Sequence, residues 1–274
     1  MMKVRPRDIL GSLATSLLLL AFAAGGALAQ LKPKLAGIEK PSSIIYIGNS
    51  FFYFNNGISR HVSGLITAAE PTKPPLRAAL VTISGSGIDW HDVESYFRPN
   101  AVSRYTIDSN NVLTFNNPAR LFDIAIMMDC SQCPLHPELK SVFDDYARRH
   151  ADAVRKHGAT PVFFMSWAYL DKPEMTAQLA EAYTRVANDN NAYVIPAGLA
   201  FARALAQRPQ TDLYIADKRH PTMAGTYLAA ATTYASLFKV SPVGLNYTAG
   251  LDPDLVRFLQ TVAWETVQAY YANN

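Results

Sequence analysis

An α/β fold with a mostly parallel sheet covered on both faces is the class this sequence predicts. Short apolar runs alternate with longer segments whose apolar residues recur every three or four positions, the pattern of strands alternating with helices. The first run is apolar throughout instead of at every second position, as strands buried on both faces are. The residues with chemical potential stand just after the runs, at the carboxyl ends of the expected strands, where open α/β sheets bind their ligands.

The elements follow in order. Residues 43–47, Ser-Ile-Ile-Tyr-Ile, form the first strand and stop at Gly48-Asn49-Ser50. After a loop through Asn55, Asn56 and Gly57, the spacing of Ile58, Val62, Leu65, Ile66 and Ala69 predicts a helix. A second strand is expected at 78–83, ending in Ser84-Gly85-Ser86-Gly87. Residues 98–120, rich in asparagine, read as an irregular insertion or an added hairpin around 112–115. The third strand, 122–128, meets Asp129-Cys130-Ser131-Gln132-Cys133-Pro134. A long helix from Val142 to His157 ends at Gly158. A fourth strand at 162–165, a helix at 175–186, a short fifth strand at 192–195 and a helix at 198–207 come next. After Asp217-Lys218-Arg219-His220-Pro221, helices are expected at 223–238 and 254–271. Pro221 suits a first helical position and would set His220 at that helix's N-terminus.

Ahead of these elements lie Lys3, Arg5 and Arg7, an apolar stretch over 9–24, and Ala27-Leu28-Ala29. This is the layout of a secretory signal peptide cleaved before Gln30. Residues 9–29 are also long enough to span a bilayer, so retention as an uncleaved anchor is the alternative. A periplasmic or secreted domain of residues 30–274 is expected, without stable membrane insertion after cleavage. Its 22 basic and 21 acidic residues give a charge of +1 and no electrostatic case for nucleic acid. No protein partner follows from the sequence.

Ser50 lies between an apolar strand and a helix, where a short turn presents its hydroxyl at the sheet edge. A serine needs a base to become a nucleophile. Among the six histidines, His220 follows Asp217 by three residues, so one loop can hold a carboxylate that orients the ring and stabilises its charged form. Each piece alone is as compatible with a turn or a helix cap. The remaining histidines form no metal-ligand spacing, and His150 and His157 fall on a helix face.

Ile45-Tyr46-Ile47-Gly48-Asn49-Ser50-Phe51 together with Asp217-Lys218-Arg219-His220-Pro221-Thr222 resembles the first and last blocks of the SGNH (GDSL-like) hydrolases, in the branch where Gly-Asn-Ser-Phe replaces Gly-Asp-Ser. The resemblance implies a flavodoxin-like three-layer sandwich on a five-stranded sheet. It further implies ester hydrolysis through an acyl-enzyme, with a Ser50, Asp217, His220 triad and no metal or organic cofactor. The backbone amides of Ser50 and Gly85 would serve in the oxyanion hole. At the third block the family's asparagine is replaced, and Ser131 stands in its place, with Gln132 as the substitute donor. The expected substrate is a small-molecule or carbohydrate ester. A catalytically silent, glycan-binding domain is the rival reading, and the altered third block keeps it open.

Asn49, Phe51 and Trp167 are candidates for the substrate site. For Phe51, Phe52, Tyr53 and Phe54, an acyl-binding surface and a packed first turn are equal alternatives. Asp89-Trp90-His91-Asp92 reads as half-buried packing or as a pocket wall. Cys130 and Cys133 are allowed a disulfide in an exported protein. Their Cys-x-x-Cys spacing also suggests a thiol-disulfide oxidoreductase, but Pro134 and Pro137 argue against a helix at the first cysteine. No Gly-x-Ser-x-Gly elbow of the α/β-hydrolases occurs.

Overall fold

A computed structural model describes residues 31–272 apart from 103–104 and 116–119. The expected signal segment, 1–29, lies outside the described residues. The chain runs β1 (Ser43–Gly48), α1 (Ser50–Tyr53), α2 (Ile58–Ala69), β2 (Arg77–Thr82), α3 (Val93–Tyr96), β3 (Tyr105–Ile107), β4 (Leu113–Phe115), β5 (Ile124–Met127) and α4 (Lys140–Lys156). It continues through β6 (Thr160–Phe164), α5 (Met175–Asp189), β7 (Tyr193–Ile195), α6 (Ala197–Gln207), α7 (Met223–Phe238) and α8 (Pro253–Tyr271).

The main sheet has the order β2-β1-β5-β6-β7, and each of its pairings is parallel. This is the flavodoxin-like order, in which the connections from β1 and β5 leave on opposite faces and open a crevice at their carboxyl ends. Alternation along β1 divides the core. Ile44 and Tyr46 pack under α2, α6, α7 and α8, while Ile45 and Ile47 pack under α4 and α5. All four are at most 1% exposed, and burying one such isoleucine contributes roughly 1.5–3 kcal/mol. Helix α7 is buried almost all round, from Ala224 to Leu237, which accounts for its run of Ala, Thr, Tyr and Leu.

The described part of the asparagine-rich insertion contains the antiparallel hairpin β3–β4. Three expectations shift. The second strand ends at Thr82: the Ile83 N–H makes the last ladder bond, to the Gly48 carbonyl, and the chain then turns as the Ser86 N–H donates to the Ile83 carbonyl. Ser50 opens a helical turn directly, with Asn49 as its N-cap. Pro221 is not the first helical residue: it bridges to Tyr214, and Thr222 caps α7 by accepting from the Gly225 N–H at 3.2 Å. His220 therefore sits on a loop two residues before the cap. Among the described residues no helix is long and apolar enough to cross a membrane.

Candidate active site

At the carboxyl end of β1 the Ser50 hydroxyl lies 2.8 Å from His220 Nε2. The His220 Nδ1 lies 2.5 Å from Asp217 Oδ2. A carboxylate only accepts, so Nδ1 carries the proton it donates to Asp217, and the Nε2 lone pair is left to receive the Ser50 proton. The second Asp217 oxygen accepts from the N–H groups of Arg219 and His220, both at 2.9 Å. Burial pushes the Asp217 carboxyl up, but the His220 ring and these two N–H groups outweigh it and hold the pKa at about 2. Asp217 is thus charged across the neutral range, as an orienting acid must be.

The loop bearing the acid and base is fastened through its backbone. Four successive carbonyls accept hydrogen bonds from three separate segments, the loop after β6, the stretch just before Asp217 and the turn after Ser50. Lys218 accepts from Leu170 N–H at 3.0 Å, Arg219 from Trp167 Nε1 at 2.9 Å and His220 from Ile215 N–H at 2.9 Å. Pro221 accepts from Asn55 Nδ2 at 2.9 Å. Lys218 itself adopts φ 63° to make the tight turn.

Three residues expected to touch substrate are placed otherwise. Asn49 is buried and its amide is spent on the fold: Nδ2 donates to the carbonyls of Ser86 and Asp129, and Oδ1 accepts from the Phe51 N–H. It thereby ties together the exits of β1, β2 and β5. Trp167 is fully buried, stacked between Phe51 at 4.6 Å and Phe201 at 4.3 Å, with its N–H directed at the base loop. Phe51 is also buried and sets its edge against the His220 ring at 5.4 Å. The amphipathic indole fits this inward role as well as it would fit a pocket wall. Trp90, by contrast, is 60% exposed.

Gly85 follows β2 with φ 71°, and a Cβ built on it would meet nothing within 4 Å. The position needs a residue tolerant of left-handed backbone and leaves open space beside it. Among the described residues, neither the Ser50 nor the Gly85 N–H has an acceptor in the chain. At the third block the Ser131 hydroxyl lies 2.6 Å from the Tyr169 hydroxyl, while Gln132 is exposed. Cys130 and Cys133 are joined in a disulfide, in a loop followed by a short 3-10 turn over Cys133–Leu135. The first cysteine is not at an α-helix N-terminus, the placement that a thiol-disulfide oxidoreductase uses.

Asp129 stands beside this disulfide, at the exit of β5. It is 2% exposed, and its Oδ1 accepts from the N–H groups of Ile88 and Cys130, both at 2.8 Å. Tyr169, the partner of Ser131, follows the fourth strand, and that position is the only sign of its role in the sequence.

The architecture matches solved structures along most of their length. A DUF4886 family protein from Bacteroides uniformis superposes with a TM-score of 0.57 at 18% identity, covering 81% of this chain and 93% of its own. A proposed SGNH hydrolase from Slackia heliotrinireducens gives 0.50 at 20% identity, covering 71% and 97%. The chain has an SGNH-hydrolase-like fold. An acetyl xylan esterase variant from Geobacillus stearothermophilus shares this fold, with a TM-score of 0.50, 15% identity and coverage of 74% and 98%. No family model and no curated protein matches the sequence. Within the SGNH-like fold, Ser50 occupies the end of the first strand, and the Asp217–His220 loop reaches it from the other end of the chain, 170 residues away.

Proposed function

We propose that this chain is an exported serine esterase that hydrolyses carboxylic esters through an acyl-enzyme. The observation that carries the reading is the continuous relay Ser50 Oγ to His220 Nε2, His220 Nδ1 to Asp217, at the crevice of a parallel sheet. His220 takes the Ser50 proton as the oxygen attacks the ester carbonyl, and Asp217 stabilises the imidazolium that forms. The imidazolium then protonates the departing alcohol. Water, deprotonated by His220, attacks the acyl-Ser50 ester and releases the acid.

Charge on the tetrahedral oxygen is met by the N–H groups of Ser50 and Gly85. The third donor is the Ser131 hydroxyl: when Tyr169 donates to Ser131, the serine proton is free to point at the oxyanion. Gln132, exposed on the same loop, is the substitute. The chemistry calls on no metal or organic cofactor. The substrate is a small-molecule or carbohydrate ester, the latter being the class acted on by the Geobacillus enzyme with the same fold. The basic, apolar and Ala-Leu-Ala sequence of residues 1–29 supports export to the periplasm or beyond.

A fluorophosphonate probe and p-nitrophenyl acetate test this reading. The unaltered chain should be labelled and turn over ester, and Ser50→Ala should lose labelling and on the order of 10⁴-fold or more in rate. An unlabelled chain whose turnover equals that of Ser50→Ala would support the silent, glycan-binding alternative instead.

A further inference from the structure

The turn after the nucleophile is unusual in its backbone. Asn55, Asn56 and Gly57 take φ values of 53°, 69° and 83° in succession. Asparagine and glycine are the residues that enter the left-handed region most readily, and a run of them persists where the surroundings over-determine it. Here the surroundings do so from both sides. The Asn55 amide donates to the Pro221 carbonyl at 2.9 Å and to Thr226 Oγ1 at 2.8 Å. The Asn55 carbonyl accepts from His61 Nε2 at 2.7 Å, and the other ring nitrogen of His61 meets the Tyr247 hydroxyl at 2.9 Å. Burial lowers the His61 pKa, which suits a neutral ring with its one proton on Nε2.

The preceding residue addresses the base itself. The Phe54 ring lies nearly parallel to the His220 imidazole, with centroids 4.3 Å apart and planes inclined by 16°. An aromatic face restrains the imidazole and attracts it electrostatically once it becomes charged. Among the described residues, the side-chain hydrogen bonds joining 50–56 to 217–222 are Ser50 to His220 and Asn55 to Pro221. The second of these sits one residue from the base.

We infer that Phe54 and Asn55 are positioning residues: Asn55 clamps the acid–base loop to the segment carrying the nucleophile, and Phe54 backs the imidazole so that Nε2 stays on the Ser50 oxygen. The inference rests on the serine-esterase reading. It assigns the aromatic run after Ser50 a role beyond packing or acyl contact.

The test uses Asn55→Gly, which keeps the left-handed backbone and removes the amide, together with Phe54→Leu and Phe54→Tyr. Asn55→Gly should lower kcat about tenfold to a hundredfold, the scale of a small misplacement of reacting groups. KM should stay within about twofold and Ser50 labelling should slow in parallel, since uniform binding is untouched. Phe54→Leu should fall in the same sense, and Phe54→Tyr should restore kcat. A merely structural role would lower the melting temperature and leave kcat of the folded protein unchanged, and that result overturns the inference. If Asn55→Gly does not fold, the Leu and Tyr pair at position 54 decides. An independent readout is the His220 Nδ1 proton, identified in NMR spectra by its loss in Asp217→Asn. It should be sharp in the unaltered chain and broadened by exchange in Asn55→Gly; an unchanged signal overturns the clamp whether or not ester is hydrolysed. Absence of labelling in the unaltered chain overturns the esterase reading instead, and the NMR comparison then decides the clamp alone.

Discussion

Replacing Asp129 with asparagine should make the protein more stable at neutral pH. The carboxyl is almost wholly enclosed beneath the third strand's exit. Burial raises its pKa, the N–H groups of Ile88 and Cys130 partly offset the rise, and the charge of Asp89 adds to it, leaving a value of about 6 against an ordinary 3.8. The folded state therefore favours the protonated acid. Its contribution to stability is fully present below pH 3.8 and is lost as pH rises through about 6. At ~1.36 kcal/mol per pH unit, the loss comes to about 3 kcal/mol. Asparagine keeps an oxygen for both N–H groups and has no charge to desolvate. Urea unfolding of Asp129→Asn and of the unaltered chain, measured between pH 4 and pH 8, should show a gap that opens up to about pH 6 and is level beyond. The other titrating groups cancel in the difference. A gap that is constant over the range, or that closes as pH rises, would refute the argument.

Three further outcomes are expected. Asn49→Ala leaves two buried carbonyls and a helical N–H without their partner; at about 1–3 kcal/mol for a buried polar group and about 1 for a cap, chemical denaturation should reveal a loss of about 3 kcal/mol. Less than ~1 kcal/mol would mean that water replaces the amide freely. Trp167→Phe retains the ring stack and frees the Arg219 carbonyl, so kcat should fall about tenfold alongside ~1 kcal/mol of stability; unchanged kcat would reduce the indole N–H to a fold support. Converting Cys130 and Cys133 to serine should cost about 2 kcal/mol, the loop entropy of so short a ring. Free thiols titrated in the unreduced, unfolded protein would contradict the pairing.

The sheet was readable because β1 is buried on both faces, so that its sequence has no polar interruption between Ile44 and Ile47. The order of the residues around Ser50 and around Asp217 and His220 was readable because nucleophile, acid and base are scarce types at constrained spacings. Direction was not readable. Asn49, Phe51 and Trp167 are of types that suit a substrate pocket, yet each turns inward, since an amide or an indole satisfies a backbone carbonyl as readily as a ligand. Pro221 lies two positions before the expected one for a related reason: proline fits before a helix as well as within its first turn, and only the bridge to Tyr214 and the Thr222 cap select between them. The asparagine and glycine at 55–57 announce a turn, but the carbonyl that Asn55 holds lies 166 residues away.

These placements share a geometric cause. Asp217 and His220 are three residues apart, so their mutual geometry is settled by one tight loop and by the N–H groups that Asp217 accepts within it. Ser50 lies 170 residues away in the chain, and its distance to His220 is set by no local feature. That distance depends on how firmly the loop is docked, which explains why the carbonyls of residues 218 to 221 are all taken, by donors from three separate segments. Trp167 and Leu170 anchor the loop to the exit of β6, Ile215 ties it to itself, and Asn55 anchors it to the nucleophile's own turn. Residues of types suited to substrate are drawn into this docking because a reaction that turns on one hydrogen bond between distant parts of the chain needs those parts held more tightly than hydrophobic burial alone can hold them.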